Sequence, residues 1–471
     1  MASHHDTTPP GDKGMLAYTS PERPQNWSEL APHEKRQWRF DRWRGAAAGI
    51  TFDSREAEAA YQVRLERLIA VLNADEPDRV PVAPPAGHLP LREAGLDYHT
   101  SIYNPEKAIE AFAAFNRKYA DELDSYASGA YGTIPARALD VLGVRAYAYP
   151  GHGMPQDASN FQFVEDEYML AEEYEDLIRD PSDFWLRKYF PRAYSIFDPL
   201  KALPSLTSII EIQNLPLWPL ARPEVQALLE RLLEAGRELS RYLESTATER
   251  ARAGASGHPL IPMAGFVTAP FDTLGDTLRG TRGILTDMLR RPDTLLEALD
   301  VVAELHISSI LASPAAKEGI RVFFPLHKGA DGWMREEQFL TFYWPSLKKV
   351  MDAFIAEGLQ CHLFAEGSYN TRLRLVNEFP KGAVTWRFDR SDMAKAKAVL
   401  GATSCIEGNV PTSLLVTGSA ADVKAECRRL IEICAPGGGY ILGSGATPEY
   451  PRLENLQAMA AAAREYGGYR R

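Results

Sequence analysis

The sequence predicts an α/β protein built on a parallel sheet, and three observations carry that reading. From about residue 258 short apolar runs alternate with longer amphipathic ones over short loops. The short runs are apolar nearly throughout, as strands buried on both faces are. The chain has 471 residues, 45% hydrophobic and 24% charged, enough to enclose a large core. Periodicity alone leaves a closed barrel and an open doubly wound sheet as alternatives.

The elements follow in order. Residues 1 to about 54 read as an extension in which Trp27, Trp38, Trp43 and Phe40 stand among arginines. Indole rings are costly to leave in water, so the arm is expected to dock on its own body or on a second subunit, which leaves a homodimer open. Arg55–Ala74 has helical periodicity, Pro77 stops it, and Arg79–Pro84 reads as a short strand. Pro105–Leu123, Glu172–Ile178 and Pro223–Gly254 read as helices, and Asn160–Met169 as a strand or hairpin. Strand-like runs then appear at His258–Thr268, Ile320–His327, Gln360–Gly367, Ala383–Asp389, Ser404–Val410 and Gly439–Gly445. Helical patterns accompany them at Leu278–Leu289, Thr294–Ala316, Glu336–Glu357, Thr371–Glu378, Asp392–Leu400, Ala421–Ile433 and Leu453–Tyr466.

Composition removes several function classes. Lys plus Arg number 52 against 63 Asp plus Glu, a net charge of −11, so no basic footprint for nucleic acid exists overall. No apolar run reaches transmembrane length, so no membrane partner is expected. Cys361, Cys405, Cys427 and Cys434 form no C-x-x-C, which suits a reducing, cytoplasmic setting. There is no G-x-G-x-x-G, P-loop, G-x-S-x-G or H-E-x-x-H, and Gly437-Gly438-Gly439 precedes a strand rather than a helix.

The chemistry is expected at the C-terminal edge of the sheet. Polar residues end the strands: His327 with Lys328, Glu366, Asp389, Asn409 and Ser444. In both parallel architectures that edge carries the site. His362, Phe364 and Glu366 share one strand face, and over four residues a straight strand separates His362 from Glu366 by about 13 Å. That span is too long for one metal unless Gly367 lets the chain turn back. A carboxylate at Glu366, beside a buried strand, needs a partner, a proton or a metal. The loop from Lys328 to Trp333 can cover a small substrate, and the Asn409 amide either binds a substrate oxygen or braces its turn.

At these residues the chain resembles a known family. QCHLFAEGSYNTRL (360–373), FDRSDMAKAKAVLG (388–401), CIEGNVPTSLLVTGSAADVKAE (405–426) and GGYILGSGATPEYPRLENLQAM (438–459) resemble the uroporphyrinogen decarboxylase superfamily. DRVPV (78–82) fits its beginning, and NFQFVEDEYMLAEEYEDLIRDP (160–181) is similar to its methyltransferase-like, corrinoid-linked branch. The resemblance implies a single (β/α)8 TIM barrel over 55–471, with the arm at 1–54. True decarboxylases of the family carry an Arg-rich stretch for substrate carboxylates, of which Arg92 is what stands here. The zinc methyltransferases carry His-x-Cys and a later Cys; here His362 matches the His, Phe364 replaces the first Cys and Ser444 stands at the second.

The resemblance therefore implies a methyltransferase or O-demethylase that moves a methyl group from a small methoxylated substrate to a corrinoid supplied by a partner protein. Zinc would be held by His362, Glu366 and Ser444, or by Glu366 with His327. His327, Asp389 and Asn409 would be catalytic, and Lys328, Trp333, Tyr369, Arg372 and Arg387 would contact substrate. The competing reading is a metal-free decarboxylase or lyase acting on a small carboxylated substrate, using Asp124, Arg372 or Arg387, His327 and Asp389. A third is a non-catalytic barrel that binds a tetrapyrrole or a partner.

Overall fold

The computed structural model describes residues 22–129, 133–203 and 218–469; the first 21 residues of the arm lie outside them. Seven parallel strands form the main sheet in the order β1-β10-β9-β8-β7-β6-β5. They are β1 (Val82–Ala83), β5 (Met263–Phe266), β6 (Arg321–Leu326), β7 (Gln360–Ala365), β8 (Val384–Phe388), β9 (Cys405–Glu407) and β10 (Tyr440–Gly443). A second, three-stranded sheet joins β2 (Tyr147–Pro150), β3 (Gly153–Met154) and β4 (Gln162–Phe163). Among the described residues no helix is long and apolar enough to cross a membrane.

The alternation of side chains sorts each strand between two environments. Val322 and Phe324 of β6, Cys361 and Leu363 of β7, and Val384 and Trp386 of β8 are buried toward the helical layer. Phe324 packs on Phe354 of the helix Trp344–Ala356, ring centroids 6.0 Å apart. The alternate residues Arg321, Phe323, His362, Phe364, Thr385, Arg387 and Glu407 face the other way. That face is concave: His362 on β7 reaches within 3.3 Å of Glu407 on β9 across the intervening β8. Two strand spacings in a flat sheet would hold them about 9.5 Å apart.

The described strands number seven in this sheet, not the eight of the expected barrel, and β1 and β5 are its two edges. The eighth strand is expected directly after the helix Pro105–Leu123. There the backbone is engaged otherwise. The Asn116 amide accepts from Ala127 N–H at 2.8 Å and donates to Ala127 C=O at 2.8 Å. Gly129 N–H goes to the Glu249 carboxylate at 2.6 Å. Groups bonded to side chains cannot extend a strand ladder.

Two other expectations shift. Thr371–Glu378 forms turns rather than a helix, because its polar groups bond to neighbours: Thr371 Oγ1 to Asp331 at 2.7 Å and Asn377 Nδ2 to Val399 C=O at 2.7 Å. The segment before the helix Gly280–Arg290 is a wide π turn, Thr273–Leu278, entered from a short α turn at Pro270–Asp272.

The arm docks on its own chain. Its helix Pro32–Ala46 lies under the N-terminal ends of the strands, and Phe40 and Trp43 pack with Leu65, Ile320 and Ile441. Arg39 donates to the carbonyls of Ala316 (2.8 Å), Gly319 (2.7 Å) and Glu357 (3.0 Å). Trp27 Nε1 donates to Glu357 at 2.8 Å. The arm thus closes the face of the sheet opposite to the functional edge.

Candidate active site

At the C-terminal edge of β5, β6 and β7 an acid–base cluster surrounds His327. The helical turns after β5 supply Asp272 and Asp276; their spacing of four places both carboxylates on one side. Asp272 is fully buried. It accepts the backbone N–H groups of His327 and Lys328, each at 2.9 Å, and the Tyr343 hydroxyl at 2.7 Å. Burial, and then the neighbouring Asp276, push its carboxyl up to about 6.

Asp276 takes the side chains instead. Its carboxylate meets His327 Nδ1 at 2.7 Å and Lys328 Nζ at 2.5 Å. Burial alone would raise its pKa, but these two partners outweigh that and hold it below the usual range. Gly275 permits the approach, since a Cβ there would stand 2.8 Å from Lys328 Cε. The other ring nitrogen of His327, Nε2, lies 3.7 Å from Glu366 Oε1. Burial opposes the imidazolium, yet the bond to Asp276 and the charges of Asp272, Asp276 and Glu366 raise His327 to about 9. The ring is therefore protonated at neutral pH, and its side chain remains 38% exposed. Glu366 is raised, first by burial and against the pull of His327, with Asp389 and Asp276 adding to the rise.

Deeper on the concave face lies a second histidine. His362 Nε2 is 3.3 Å from Glu407 Oε2, and Arg387 Nε is 3.8 Å from Glu407 Oε1. Burial and the charge of Arg321 lower His362 to about 4, against the pull of Glu407, so this imidazole is neutral. Burial would raise Glu407, but His362, Arg387 and Arg321 hold it at about 2.

The expected site residues divide accordingly. His327 and Glu366 meet at the edge, and Asp389 lies near enough to act on the Glu366 charge while accepting Gly367 N–H at 3.1 Å. Arg387 faces inward with Glu407. The metal trio does not converge: His362 turns to Glu407, Glu366 to His327, and Ser444 Oγ is buried with no hydrogen bond. Among the described residues no three His, Cys, Asp or Glu are grouped to hold a metal ion. His327 with Glu366 supplies two ligands, which does not fit a three-ligand zinc centre.

Six further expected residues are engaged with groups of their own chain. Asn409 braces its turn, donating to the carbonyls of Asp389 (3.2 Å) and Ser391 (2.7 Å). Lys328 is spent on Asp276 and on Thr281 at 3.2 Å, with Trp333 beneath it. Trp333 itself packs edge-on against Phe271. Tyr369 is 2% exposed, and Arg372 is buried, donating to Met334 C=O at 2.5 Å over the Phe339 ring. Asp124, assigned to the decarboxylase reading, is held by Arg64, Arg67 and Arg79 and lines the cavity that Arg321 and Arg387 also reach.

Asp272, Asp276, Arg321 and Glu407 were missed by the sequence reading. The first two stand at D-x-x-x-D directly after a strand, a spacing that signals one helix side. Glu407 lies in the apolar run Cys405–Glu407, where a carboxylate needs a partner just as Glu366 does.

Comparison with known proteins bears on the fold and the family. No curated protein matches the chain. Among 26 matching solved chains is a methyltransferase from Methanosarcina mazei. It is 16% identical, aligns over 86% of this chain and 98% of that one, and superposes with a TM-score of 0.50, a likeness of fold. The family model described as uroporphyrinogen decarboxylase (URO-D) matches residues 224–466, which takes in β5 to β10 and both histidine sites. With more than half its length matched, the chain belongs to the uroporphyrinogen decarboxylase family.

Proposed function

We propose that the protein is a methyltransferase that removes a methyl group from the oxygen of a small methoxylated substrate and passes it to a corrinoid held by a separate protein. One observation carries the chemistry: an imidazolium at the open edge, with Nδ1 fixed by Asp276 at 2.7 Å and Nε2 facing outward near Glu366. An ether oxygen is a poor leaving group until it is protonated. As the C–O bond breaks and the methyl carbon bonds to the nucleophilic acceptor, Nε2 of His327 gives its proton to the departing oxygen. The product is the free alcohol or phenol, and the imidazole regains a proton from solvent or through Glu366. Asp276 orients the ring and stabilises its charge, and Asp272 fixes the backbone that carries it. No step is routed through a metal, because the ligand set does not fit one.

We read the seam between β1 and β5 as the place of the eighth strand of a (β/α)8 barrel, and the methyltransferase-like fold of the Methanosarcina mazei protein supports that branch of the family. All four cysteines are buried free thiols, in keeping with a cytoplasmic enzyme.

The test mixes the protein with reduced cobalamin and a panel of methoxylated compounds. Methylcobalamin absorbance should appear in step with free hydroxyl product, and should persist in chelator. Absence of both products across the panel would sink the reading. The decarboxylase or lyase reading draws support from the arginines Arg321 and Arg387 on the concave face; carbon dioxide release without cobalamin is its signature.

A further inference from the structure

A cavity of about 660 Å³ runs along the seam between β1 and β5. Arg321 of β6 and Arg387 of β8 reach it from the concave face. Among the described residues the Arg321 guanidinium makes no hydrogen bond and no ion pair, and its Nε is buried. Arg387 is scarcely better served. Its Nη2 touches Thr447 Oγ1 at 3.5 Å, its Nε stands 3.8 Å from Glu407, and that Nε too is buried without a hydrogen bond. Arg321 and Arg387 thus share Glu407 as their near carboxylate, with His362 neutral beside them, while Asp124, Glu249 and Glu449 also line the cavity. A buried charge left without a partner is costly, and a guanidinium pair is shaped to take a carboxylate through paired N–H donors.

The surroundings add a shape. Phe323 follows Arg321 by two residues on the same strand face, and Phe364 lies under Arg387 with the guanidinium 4.7 Å from its ring centre. Phe266 stands opposite Phe323, ring centroids 5.8 Å apart, and is 61% exposed although it lies on the inner face. The two cations stand at different depths: Arg321 is level with Gln360, Arg387 is level with Phe364, Phe323 lies between them, and the His327 edge is above. Two residues of strand separate the Arg387–Phe364 level from Glu366, about 6.6 Å, room for one ring between the cation and the edge.

We propose that Arg321 and Arg387 form a carboxylate seat and that the substrate is a small aromatic carboxylate, held acid end inward with its methoxyl at His327. The proposal rests on His327 as the reacting edge, and it makes the carboxylate a handle rather than a leaving group.

Calorimetric titration of the full chain with 4-methoxybenzoate and with its neutral methyl ester tests it. The acid should bind at least tenfold more tightly than the ester. Arg321→Gln and Arg387→Gln should each weaken the acid tenfold or more without changing the ester. Glu407→Gln should tighten the acid, because the competing anion is gone, a gain that a misfolded variant cannot give. Equal binding of acid and ester, no binding of the acid, or variants of wild-type melting temperature that keep full affinity would each overturn the seat. Charge-dependent binding without methyl transfer overturns the enzymatic reading alone; methyl transfer indifferent to the arginines overturns the seat alone.

Discussion

His327 and His362 lie on adjacent strands of one sheet, and their environments drive them to opposite charge states. His327 sits at the edge among three carboxylates and is raised to about 9. His362 sits deeper, where burial and two arginines outweigh a single carboxylate, and is lowered to about 4. The difference shows that burial and the surrounding charges, not the residue type, decide which imidazole carries a proton at pH 7. One is equipped to donate; the other is a neutral ring set against Glu407.

The sharpest way to break that comparison is to exchange the consequences. His327→Gln should cut methyl transfer about 10²–10⁴-fold, the usual share of a general acid, read as kcat. His362→Gln should leave kcat within the same decade. If the two variants lose turnover equally, the division of roles is wrong. Asp276→Asn comes next: the His327 titration midpoint, followed by NMR, should fall from about 9 toward the ordinary imidazole value, and the alkaline limb of the rate profile should move with it. An unmoved midpoint would remove Asp276 as its anchor.

Stability should carry the same opposition. His327 binds its proton more tightly folded than unfolded, so its contribution is complete below pH 6.5 and is lost as pH rises through about 9. His362 resists protonation in the fold, so stability falls as pH drops from 6.5 toward about 4. Urea midpoints across pH should flatten on the alkaline side in His327→Gln. On the acid side His362→Gln should remove only its share, since burial depresses His258 and His306 in the same direction. The smallest effect is expected at the turn beside the edge. Asn409→Ala should cost about 1–2 kcal/mol of unfolding free energy with little change in kcat, because its amide serves two carbonyls.

The sheet was legible in the sequence because strands buried on both faces leave continuous apolar runs, and β6 to β10 fall inside the expected spans. His327 and Glu366 were legible because an ionisable group at a strand end stands out against such runs. Lys328 and Asn409 stood out as strand-end polar residues too but serve backbone and carboxylate groups nearby, a distinction that only three-dimensional partners reveal. Asp272 closes a three-residue α turn and Asp276 lies in the π turn that follows, so only their spacing of four, and no longer periodicity, marked them. That the described residues pair only seven strands was hidden too, since nothing local shows that the Asn116 amide takes both backbone groups of Ala127.

The docked arm sets a timetable for synthesis. Arg39 is made 277 residues before Ala316 and 318 before Glu357, the carbonyls it will hold. At the usual pace of translation, Trp27, Trp38, Trp43 and Phe40 emerge roughly 15–60 s before their seat exists. Through that interval they are an apolar tail on a growing chain, open to chaperones and proteases. The helix Pro32–Ala46 is thus made well before the carbonyls that hold it.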